Sequence, residues 1–473
     1  MQENLPLVVD LDGTLISTDI LMELMFELLK RNPLYIFLII LWLTRGYAFL
    51  KQKVFERTEI DVSTLAYNQD VIDFVLEEKA KGREIVLATA SLKSIAVKVA
   101  DYLGFFDQVI ATTPELNLRG NNKRNVLVEK FGEKGFDYIG DSYVDIYIWQ
   151  SARYAYLVKP PKLLIQRVEK VAQIKKIFPA KRGKLETFLS EIRYKQWLKN
   201  TLIFIPIILA HKFIFIEYVY LLIGFFAFSL TSSSIYLLND LIDIPSDRQH
   251  PVKRNRPLAS GEMHITTGFY LSIIFFVSGF LISILFLHPG FVIVQAVYFV
   301  LNWLYSRYLK KEVVVDIVIL SILYCLRLIA GAVQAEVEIS NWLLTFALFL
   351  FLSLATLKRY LELGILQKSG NNQNIHRGYT VEDRQILQLS GVSLGLISSL
   401  IFALYTQSEK VAVLYSHPTY LIGIVLVIVL FILRIWILSS RQVANDDPFE
   451  IVMKDRVNYI LLVISIIILL LAL

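Results

Sequence analysis

The order of hydrophobic and polar positions changes character along the chain. Before about residue 160, short apolar runs of strand length alternate with polar segments, which is the pattern of a soluble α/β domain. After about Trp197, long apolar runs alternate with short charged loops, which is typical of membrane helices. We therefore predict an N-terminal α/β domain followed by an all-α multi-pass membrane bundle of about nine transmembrane helices. The expected spans are 197–214, 216–238, 267–287, 290–306, 314–334, 341–360, 387–406, 418–438 and 457–473.

The soluble domain is assigned to residues 1–160, with a helical cap over about 15–80 after the first predicted strand. Within the cap, Leu34–Leu43 is an apolar run of ten residues, which is too short to span a bilayer. Basic residues flank it at Lys30, Arg31 and Arg45. Two interpretations stay open: a buried cap helix, or a segment that dips into the membrane interface.

A basic stretch joins the two halves of the chain. Residues Lys162–Lys199 are rich in Lys and Arg with amphipathic spacing. We predict a linker helix over 161–192 that lies against anionic lipid headgroups, with a solvated linker as the alternative. The membrane domain then covers 193–473.

The composition narrows the possible classes of partner. The 473 residues are 55% hydrophobic and carry a formal net charge of +6. Basic inward loops of a multispan protein account for that charge, so no nucleic-acid partner is expected. Cys325 is the single cysteine, which excludes a disulfide within the chain and a cysteine metal site.

Loop charges predict the orientation in the membrane. The start of the chain has no basic flank and no long apolar core, so we expect no secretory signal and a cytosolic N-terminus. The loops 239–266, 307–313, 358–386 and 434–456 then face inside, and they hold most of the loop Lys and Arg. We expect a multi-pass protein of the cell (plasma) membrane, with the soluble domain and both candidate sites in the cytoplasm and the C-terminus outside.

Polar side chains follow three predicted strands of the soluble domain. Leu7–Asp10 runs into D-L-D-G-T, Glu84–Ser91 ends in hydroxyls, and Tyr138–Asp145 ends in paired carboxylates. The carboxyl ends of parallel strands meet at one edge of a sheet, where α/β proteins build their sites. A carboxylate such as Asp10 can act as a nucleophile. Asp12, two positions on, is a candidate general acid and base.

The order and spacing of these segments, with Lys123 after a Gly-Asn-Asn turn, resemble the four motifs of the haloacid dehalogenase (HAD) superfamily of phosphatases over about residues 5–160. The resemblance implies a Rossmann-like fold in which Thr89 holds the phosphate, a role that Ser91 could also fill, and Lys123 neutralises it. It also implies that Mg²⁺ is bound by Asp10, the Asp12 carbonyl and Asp141, with Asp145 as a weaker candidate. A degenerate domain kept as a scaffold is the alternative.

A charged segment, Asn239–Gly261, follows the second predicted span. It contains three carboxylates and four cations: Asp240, Asp243, Asp247, Arg248, Lys253, Arg254 and Arg256. If the preceding helix continues, Asn239 and Asp243 lie on one face, and Pro245 should kink or end the helix. Carboxylate and amide oxygens are suitable ligands for Mg²⁺. A Mg²⁺-bound diphosphate would neutralise both the carboxylates, through the metal, and the cations, which would bind the remaining phosphate oxygens. A solvated cytoplasmic loop is the alternative reading.

Other polar residues gather at the predicted inner ends of the later spans: Tyr305, Lys310, Asp316, Lys358, Arg359, Glu362 and Tyr379. For the two tyrosines, an interfacial aromatic anchor is as good an interpretation as a ligand contact. Arg327 lies inside the fifth span, where a charge is expensive and usually faces a cavity or a partner. We expect Arg327 to line a functional cavity.

The segment N-D-L-I-D-I-P-S-D followed by R-P-L-A-S-G resembles the UbiA superfamily of intramembrane prenyltransferases over about residues 190–473. The resemblance implies that Asn239, Asp240, Asp243 and Asp247 hold Mg²⁺ on a diphosphate, with Asp240 and Asp243 as the catalytic candidates. The cations Lys253, Arg256, Lys310, Arg327, Lys358 and Arg359, together with Glu362, are the remaining substrate-binding candidates.

The later cytosolic loop departs from the pattern of aromatic prenyltransferases. A second aspartate-rich segment is replaced here by K-R-Y-L-E-L at 358–363. This departure, with I-R-Y-K-Q-W-L-K-N at 192–200, is similar to the branch that transfers phosphoribose from phosphoribosyl diphosphate to a polyprenyl phosphate. The resemblance then implies a polyprenyl lipid substrate. As a separate hypothesis, the HAD site on the same membrane face removes the 5-phosphate of the product. Prenyl transfer to an aromatic or other acceptor from a polyprenyl diphosphate, and a non-catalytic lipid transporter or scaffold, are the alternatives, and the oligomeric state stays open.

Overall fold

The computed structural model describes residues 5–32, 34–58, 60–113, 116–250, 252–369, 378–441 and 448–473. The chain divides into two compact units. The first unit contains Met1–Tyr194 and Tyr236–Ile274, and the second contains Lys195–Ile235 and Phe275–Leu473.

A parallel six-stranded sheet forms the centre of the first unit. Its strands are β1 (Leu7–Val9), β2 (Ile85–Leu92), β3 (Gln108–Thr112), β4 (Asp137–Gly140), β5 (Tyr154–Val158) and β6 (Gln173–Phe178). Their order is β3-β2-β1-β4-β5-β6, and each neighbouring pair is parallel. β1 therefore lies between β2 and β4, and its carboxyl end opens where the chain order reverses, which is where α/β sheets bind ligands.

Helices of the predicted cap follow β1. They are α1 (Ile20–Arg31), α2 (Tyr35–Thr44), α3 (Tyr47–Phe55) and α4 (Gln69–Ala80). Asp19 caps α1 by accepting a hydrogen bond from the Met22 N–H. The apolar run at 34–43 forms α2, and most of its large side chains are exposed, so it is not the fully buried cap helix of the first interpretation.

The sheet is covered on both faces, because successive residues of a strand point to opposite sides. Leu7 and Val9 pack with the cap helices in one core, and Val8 packs with Trp149 in the other. The flanking helices are α5 (Lys93–Leu103), α6 (Asn121–Phe131), α7 (Ile146–Ser151), α8 (Lys162–Val168) and α9 (Lys184–Glu191).

The predicted linker helix at 161–192 is wrong. The segment forms α8, then β6, then α9, and β6 pairs with β5 through the register Ala155 to Ile174 and Leu157 to Ile177. Pairing with the preceding strand outweighs the local amphipathic pattern, since the edge of β5 gains a ladder of hydrogen bonds. The sheet therefore continues to Phe178, beyond the expected domain boundary at 160.

Helices make up the rest of the chain. After a 3-10 helix at Tyr194–Phe204, they are α10 (Ile205–Leu209), α11 (Phe215–Gln249), α12 (Pro257–Ser260), α13 (Ile265–Phe286), α14 (Pro289–Arg307), α15 (Val315–Gln334), α16 (Asn341–Ser369), α17 (Arg384–Thr406), α18 (Glu409–Leu414), α19 (Ile422–Arg441), α20 (Pro448–Lys454) and α21 (Arg456–Ala472). The α/β domain followed by a helical bundle confirms the predicted fold class.

In the described ranges, seven helices are long and apolar enough to cross a membrane, fewer than the expected nine. The first expected span, at 197–214, consists of a 3-10 helix and the short α10, because Pro206 cannot donate the hydrogen bond that a continuous helix needs. The last expected span is α21, whose 17 residues are slightly short for a bilayer. The chain is a multi-pass membrane protein.

Candidate functional site

The carboxyl end of β1 places Asp10 next to Lys123, which begins α6. The Lys123 ammonium lies 3.0 Å from Asp10 Oδ1, and it is 3% exposed. It also donates to the Tyr138 hydroxyl, which in turn donates to Asp145. A buried cation is thereby held against the candidate nucleophile by groups from three separate segments, as the motif spacing predicted.

Three carboxylates converge on this point from two strand ends. Asp10, Asp141 and Asp145 each offer an oxygen, and these oxygens lie within 4.8 Å of one another. Asp145 also accepts hydrogen bonds from the backbone N–H groups of Asp141 and Ser142, at 3.2 and 3.0 Å. The arrangement suits a hard divalent cation such as Mg²⁺, and it brings Asp145 into the cluster more fully than the sequence indicated.

The electrostatics of the cluster reflect its burial. Desolvation raises the pKa of Asp10, and the nearby charge of Asp145 adds to this, although Lys123 opposes it. Desolvation and the charges of Asp145 and Asp10 likewise raise the pKa of Asp141 well above its usual value. Burial lowers the pKa of Lys123, but the two carboxylates outweigh it, and the net shift is upward. Two buried carboxylates and the half-buried Asp141 face one cation, so a second positive charge would be stabilised here.

Gly13 permits the close approach of the β1 and β4 ends. Its φ is +76°, and a Cβ built on it would lie 2.2 Å from Asp141 Oδ2. Thr14, the next residue, donates from Oγ1 to Asp141 Oδ1 at 3.3 Å. The D-L-D-G-T turn therefore needs glycine at position 13 for two reasons: the positive φ and the close contact with the Asp141 carboxylate.

Asp12 is held away from the three-carboxylate cluster by two other bonds. Its Oδ1 accepts from the backbone N–H of Ile20 at 3.0 Å, and its Oδ2 accepts from the Ser91 hydroxyl at 2.6 Å. Desolvation raises the pKa of Asp12 to about 7, with a further contribution from Asp19. A carboxyl that can hold or release a proton near neutral pH suits general acid and base work. The metal role of its carbonyl stays a prediction.

The structure separates the two hydroxyls at the end of β2. Thr89 is fully buried, and its Oγ1 accepts from the Ser91 N–H at 2.9 Å, so it shapes the turn. Ser91 donates from its hydroxyl to Asp12.

Lys51, which the sequence analysis missed, reaches the same turn from α3 and donates to the Ala90 carbonyl at 3.0 Å. A lone lysine within a cap helix carries no motif that would have identified it.

The aspartate-rich segment is the last part of α11. Pro245 lies inside this helix, which continues to Gln249, so Pro245 does not end it, and the alternative expectation of a kink stays a prediction. Asp240, Asp243 and Asp247 therefore follow one another at i, i+3 and i+7 along one side of the helix. Asp240 and Asp247 are 3% and 4% exposed, whereas Asn239 and Asp243 are half-buried.

Two arginines hold these buried carboxylates. Arg256 contacts Asp240 at 2.8 Å and Asp247 at 2.6 Å, and its predicted role in binding substrate stays a prediction. Arg193, which the sequence analysis did not single out, contacts Asp240 at 2.5 Å. The carboxylate of Asp240 raises the pKa of Arg193 against the opposing effect of burial. The motif and the stretch that precedes the membrane bundle are thus joined by an ion pair.

Glu191, at the end of α9, is a second residue that the sequence did not reveal. It is 1% exposed, and its Oε2 accepts from the Leu258 N–H at 3.3 Å. Its Oε1 makes no hydrogen bond within the described part of the chain. Burial, and secondarily the charge of Asp240, raises the pKa of Glu191 to about 8.

The four predicted cations of this segment have different surroundings. Arg256 holds the aspartates, Lys253 is half-buried, and Arg254 is exposed. Arg248 instead pairs with Glu23 of α1, at 2.8 Å, and donates to the Ala259 carbonyl. Arg248 therefore joins the aspartate-rich helix to the cap.

In the second unit, the polar residues predicted at span ends form one buried group. Arg359 pairs with Asp316 and Glu362 and donates to the Tyr305 hydroxyl at 3.0 Å. Tyr379 donates to Asp316 at 2.6 Å. Arg359 is 2% exposed and Asp316 is fully buried. Of the other cations predicted there, Lys310 and Lys358 are both half-buried.

Arg327 lies in the interior of the second unit, within a polar and aromatic shell. Its guanidinium donates to Asn200 at 2.8 Å, to the Tyr298 hydroxyl at 3.0 Å and to the Leu323 carbonyl at 2.6 Å. The ring of Tyr298 also lies 4.9 Å from the guanidinium carbon. These contacts satisfy the charge inside the bundle, and its role beside a substrate cavity stays a prediction.

Comparison with known proteins identifies both halves of the chain. Residues 201–454 match the UbiA prenyltransferase family, and residues 7–149 match the haloacid dehalogenase-like hydrolases. Protein y4nM of Sinorhizobium fredii is 32% identical over 459 residues, covering 96% of this chain and 88% of the relative. A decaprenyl-phosphate phosphoribosyltransferase of Mycolicibacterium smegmatis is 31% identical over 282 residues, covering 58% of this chain and 88% of the relative. A UbiA homolog from Archaeoglobus fulgidus, solved with DMAPP and Mg²⁺, aligns with a TM-score of 0.45 at 17% identity, over 60% of this chain and 96% of that one.

Proposed function

Because the chain belongs to the UbiA prenyltransferase family and carries an N-terminal HAD-like domain, we propose that it transfers phosphoribose from phosphoribosyl diphosphate to a polyprenyl phosphate. We propose further that the HAD-like domain removes the 5-phosphate from the product. The observation that carries the proposal is the similarity to a decaprenyl-phosphate phosphoribosyltransferase over 88% of that relative's length.

The charges of the second unit support this choice over an aromatic acceptor. A phosphate nucleophile and a separate diphosphate donor bring more negative charge than an aromatic acceptor does. Where aromatic prenyltransferases would have a second aspartate-rich segment, Lys358 and Arg359 supply two cations, and Arg359 is fixed by Asp316 and Glu362. Because two carboxylates already pair with the buried Arg359, the half-buried Lys358 is the cation of this segment that would meet a phosphate oxygen.

In the proposed transfer, a phosphate oxygen of the lipid attacks the anomeric carbon of the ribose. The carbon–oxygen bond to the diphosphate breaks, and the diphosphate leaves with the bonding electrons. Asp240, Asp243 and Asp247, with Asn239, would hold Mg²⁺, which neutralises the departing diphosphate. Arg256 and Lys253 lie beside these carboxylates and would bind the remaining phosphate oxygens.

The HAD-like site supplies the parts of a two-step hydrolysis. Asp10 would attack the phosphorus while Asp12 gives its proton to the leaving ribose oxygen. Asp12 would then take a proton from the water that attacks the phosphoaspartate and releases phosphate. The Lys123 ammonium lies 3.0 Å from Asp10 Oδ1. From this position it would stabilise the negative charge on the phosphoryl oxygens. Mg²⁺, bound by Asp10, Asp141 and Asp145, would neutralise the phosphoryl oxygens further.

The test uses membranes that contain the full chain, Mg²⁺, polyprenyl phosphate and phosphoribosyl diphosphate with separate labels in the ribose and the 5-phosphate. Ribose label should enter the organic phase, and the 5-phosphate label should be released as free phosphate. Asp240→Asn should abolish the first event, and Asp10→Asn should abolish only the second. If ribose label stays in water while polyprenyl diphosphate supports transfer to an aromatic acceptor, the proposal is wrong. Lipid product without phosphate release would refute the phosphatase half alone.

A further inference from the structure

We propose that α2 of the cap inserts into the lipid headgroup and acyl boundary of the same membrane that the bundle crosses. Four of its large apolar side chains, Phe37, Ile40, Leu41 and Leu43, and that of its N-cap residue Leu34 are between 50% and 68% exposed. The stretch 34–44 contains no charged residue. An apolar helix surface of this kind needs a cover that excludes water.

The opposite side of α2 is already packed. Ile39 and Trp42 are buried in the main core of the first unit, and Tyr35 packs against it. These residues are spaced at i, i+4 and i+7, so they form one stripe that anchors the helix to the cap. Packing of Tyr35, Ile39 and Trp42 against the core therefore fixes the orientation of α2, with its other side exposed. Rotation about the helix axis would bury that side only by exposing Ile39 and Trp42.

Charge around the helix fits an anionic lipid surface. Residues 27–57 carry six cations, Lys30, Arg31, Arg45, Lys51, Lys53 and Arg57, against two carboxylates, Glu27 and Glu56. Lys30, Arg31 and Arg45 flank the apolar helix at both ends and are exposed. A helix that lies in the interface has this form, with its apolar side among the acyl chains and cations at the headgroup level.

A contact with a membrane span supports the same position. Phe26 of α1 packs edge to face against Phe269, with the ring centroids 5.5 Å apart. Phe269 lies near the start of α13, which is one of the seven helices long and apolar enough to cross a membrane in the described ranges. Helix α1 therefore lies beside the end of a span, and α2 follows it after a short turn.

The position of α2 would set where the HAD-like site opens. The next helix, α3, carries Lys51, whose ammonium donates to the Ala90 carbonyl between Thr89 and Ser91. An inserted α2 would hold this side of the cap at the headgroup level, where the phosphate of a membrane lipid lies. This consequence rests on the proposed phosphatase function, but the insertion itself does not.

Fluorescence quenching tests the insertion without any activity measurement. The full chain, with Cys325→Ala to remove the native thiol, would carry a single labelled cysteine in place of Phe37 in lipid nanodiscs. Glu133→Cys is the control, because Glu133 is exposed just beyond the last residue of α6, the helix that carries Lys123 in its first turn. Leu41→Cys is a second test position in case Phe37→Cys fails to fold.

We expect a nitroxide on the lipid acyl chains to quench the Phe37 label and iodide in water to leave it bright, with the reverse at Glu133. Equal iodide quenching at both positions would overturn the proposal. Protection from iodide without quenching by the lipid nitroxide would also overturn it, in favour of a second protein copy.

An activity comparison then separates insertion from chemistry. The triple variant Leu34→Ser, Phe37→Ser, Leu41→Ser should lose at least about tenfold in phosphate release from a membrane lipid, because three large apolar anchors are removed. Its hydrolysis of a small water-soluble phosphate ester should be unchanged. Leu76→Ser, an exposed leucine on α4, is the control and should change neither rate. Equal losses on both substrates would contradict a role in lipid presentation, even with the quenching result in place.

Discussion

Arg248, at the end of the aspartate-rich helix, donates two hydrogen bonds to the Glu23 carboxylate of the cap, one from each terminal nitrogen of its guanidinium, at 2.8 and 3.0 Å. The two side chains are 8% and 12% exposed. The same guanidinium donates to the carbonyls of Thr64 and Ala259. Asp247 is the residue immediately before Arg248, so the cap of the phosphatase-like domain helps to position a candidate metal ligand of the transferase.

We predict that Glu23→Gln lowers phosphoribose transfer by about tenfold, because a buried arginine that loses its carboxylate is no longer fixed in position. Label incorporation into lipid is the measurement. Glu27→Gln is the matched control on the same helix, since the half-buried Glu27 pairs with the exposed Arg31 at 3.5 Å, and such a pair contributes little. An unchanged transfer rate in a folded Glu23→Gln protein would contradict the coupling of cap and motif.

Gly13→Ala should abolish phosphate release while the chain stays folded. The added methyl would lie 2.2 Å from Asp141 Oδ2 and would displace that carboxylate from Asp10. We expect a loss of about a hundredfold or more, as for other displaced catalytic groups. Gly104→Ala is the control, because its φ of +71° is similar but nothing lies within 4 Å of the new Cβ. Both variants should lose about 1 kcal/mol of stability from the positive φ, and similar phosphatase rates in the two would refute the clash argument.

Arg256→Gln should reduce phosphoribose transfer by about a hundredfold, because Asp240 and Asp247 would share a buried site without the cation that joins them. Arg254→Gln, two residues away and exposed, should retain nearly full activity. Transfer assays at several Mg²⁺ concentrations provide the measurement. If the two variants behave alike, Arg256 serves only as a general positive charge in the loop.

Glu191→Gln should make the protein more stable at pH 8 than the native chain. The folded pKa of Glu191 is raised to about 8 from 4.5, so the stability it supports is present at low pH and is lost as the pH rises from 4.5 through about 8. The neutral amide escapes that loss, which we expect to be on the order of a few kcal/mol. Thermal unfolding between pH 5 and pH 9 measures the effect, with Glu186→Gln, exposed on the same helix, as the control. A difference between Glu191→Gln and the native chain that does not grow with pH would contradict the shift.

The local sequence pattern is sufficient to predict the candidate site residues that lie at the ends of strands. Asp10, Ser91 and Asp141 end parallel strands, and strand ends of that kind share one edge, so their proximity could be predicted. The long apolar runs likewise predicted a membrane bundle, since only helices satisfy their own backbone in lipid. The number of spans does not follow from composition, because composition does not reveal whether a run such as 197–214 forms one continuous helix.

The sequence by itself determined the two domain types, the strand-end carboxylates and the aspartate-rich helix, because each depends on a pattern of residues that lie close together along the chain. Only the tertiary structure decided that β6 completes the sheet, that α2 keeps its apolar side exposed, and that Arg193 and Glu23 hold residues of the aspartate-rich segment. Such pairings join segments far apart in sequence, and their free energy comes from burial and geometry that local periodicity does not encode.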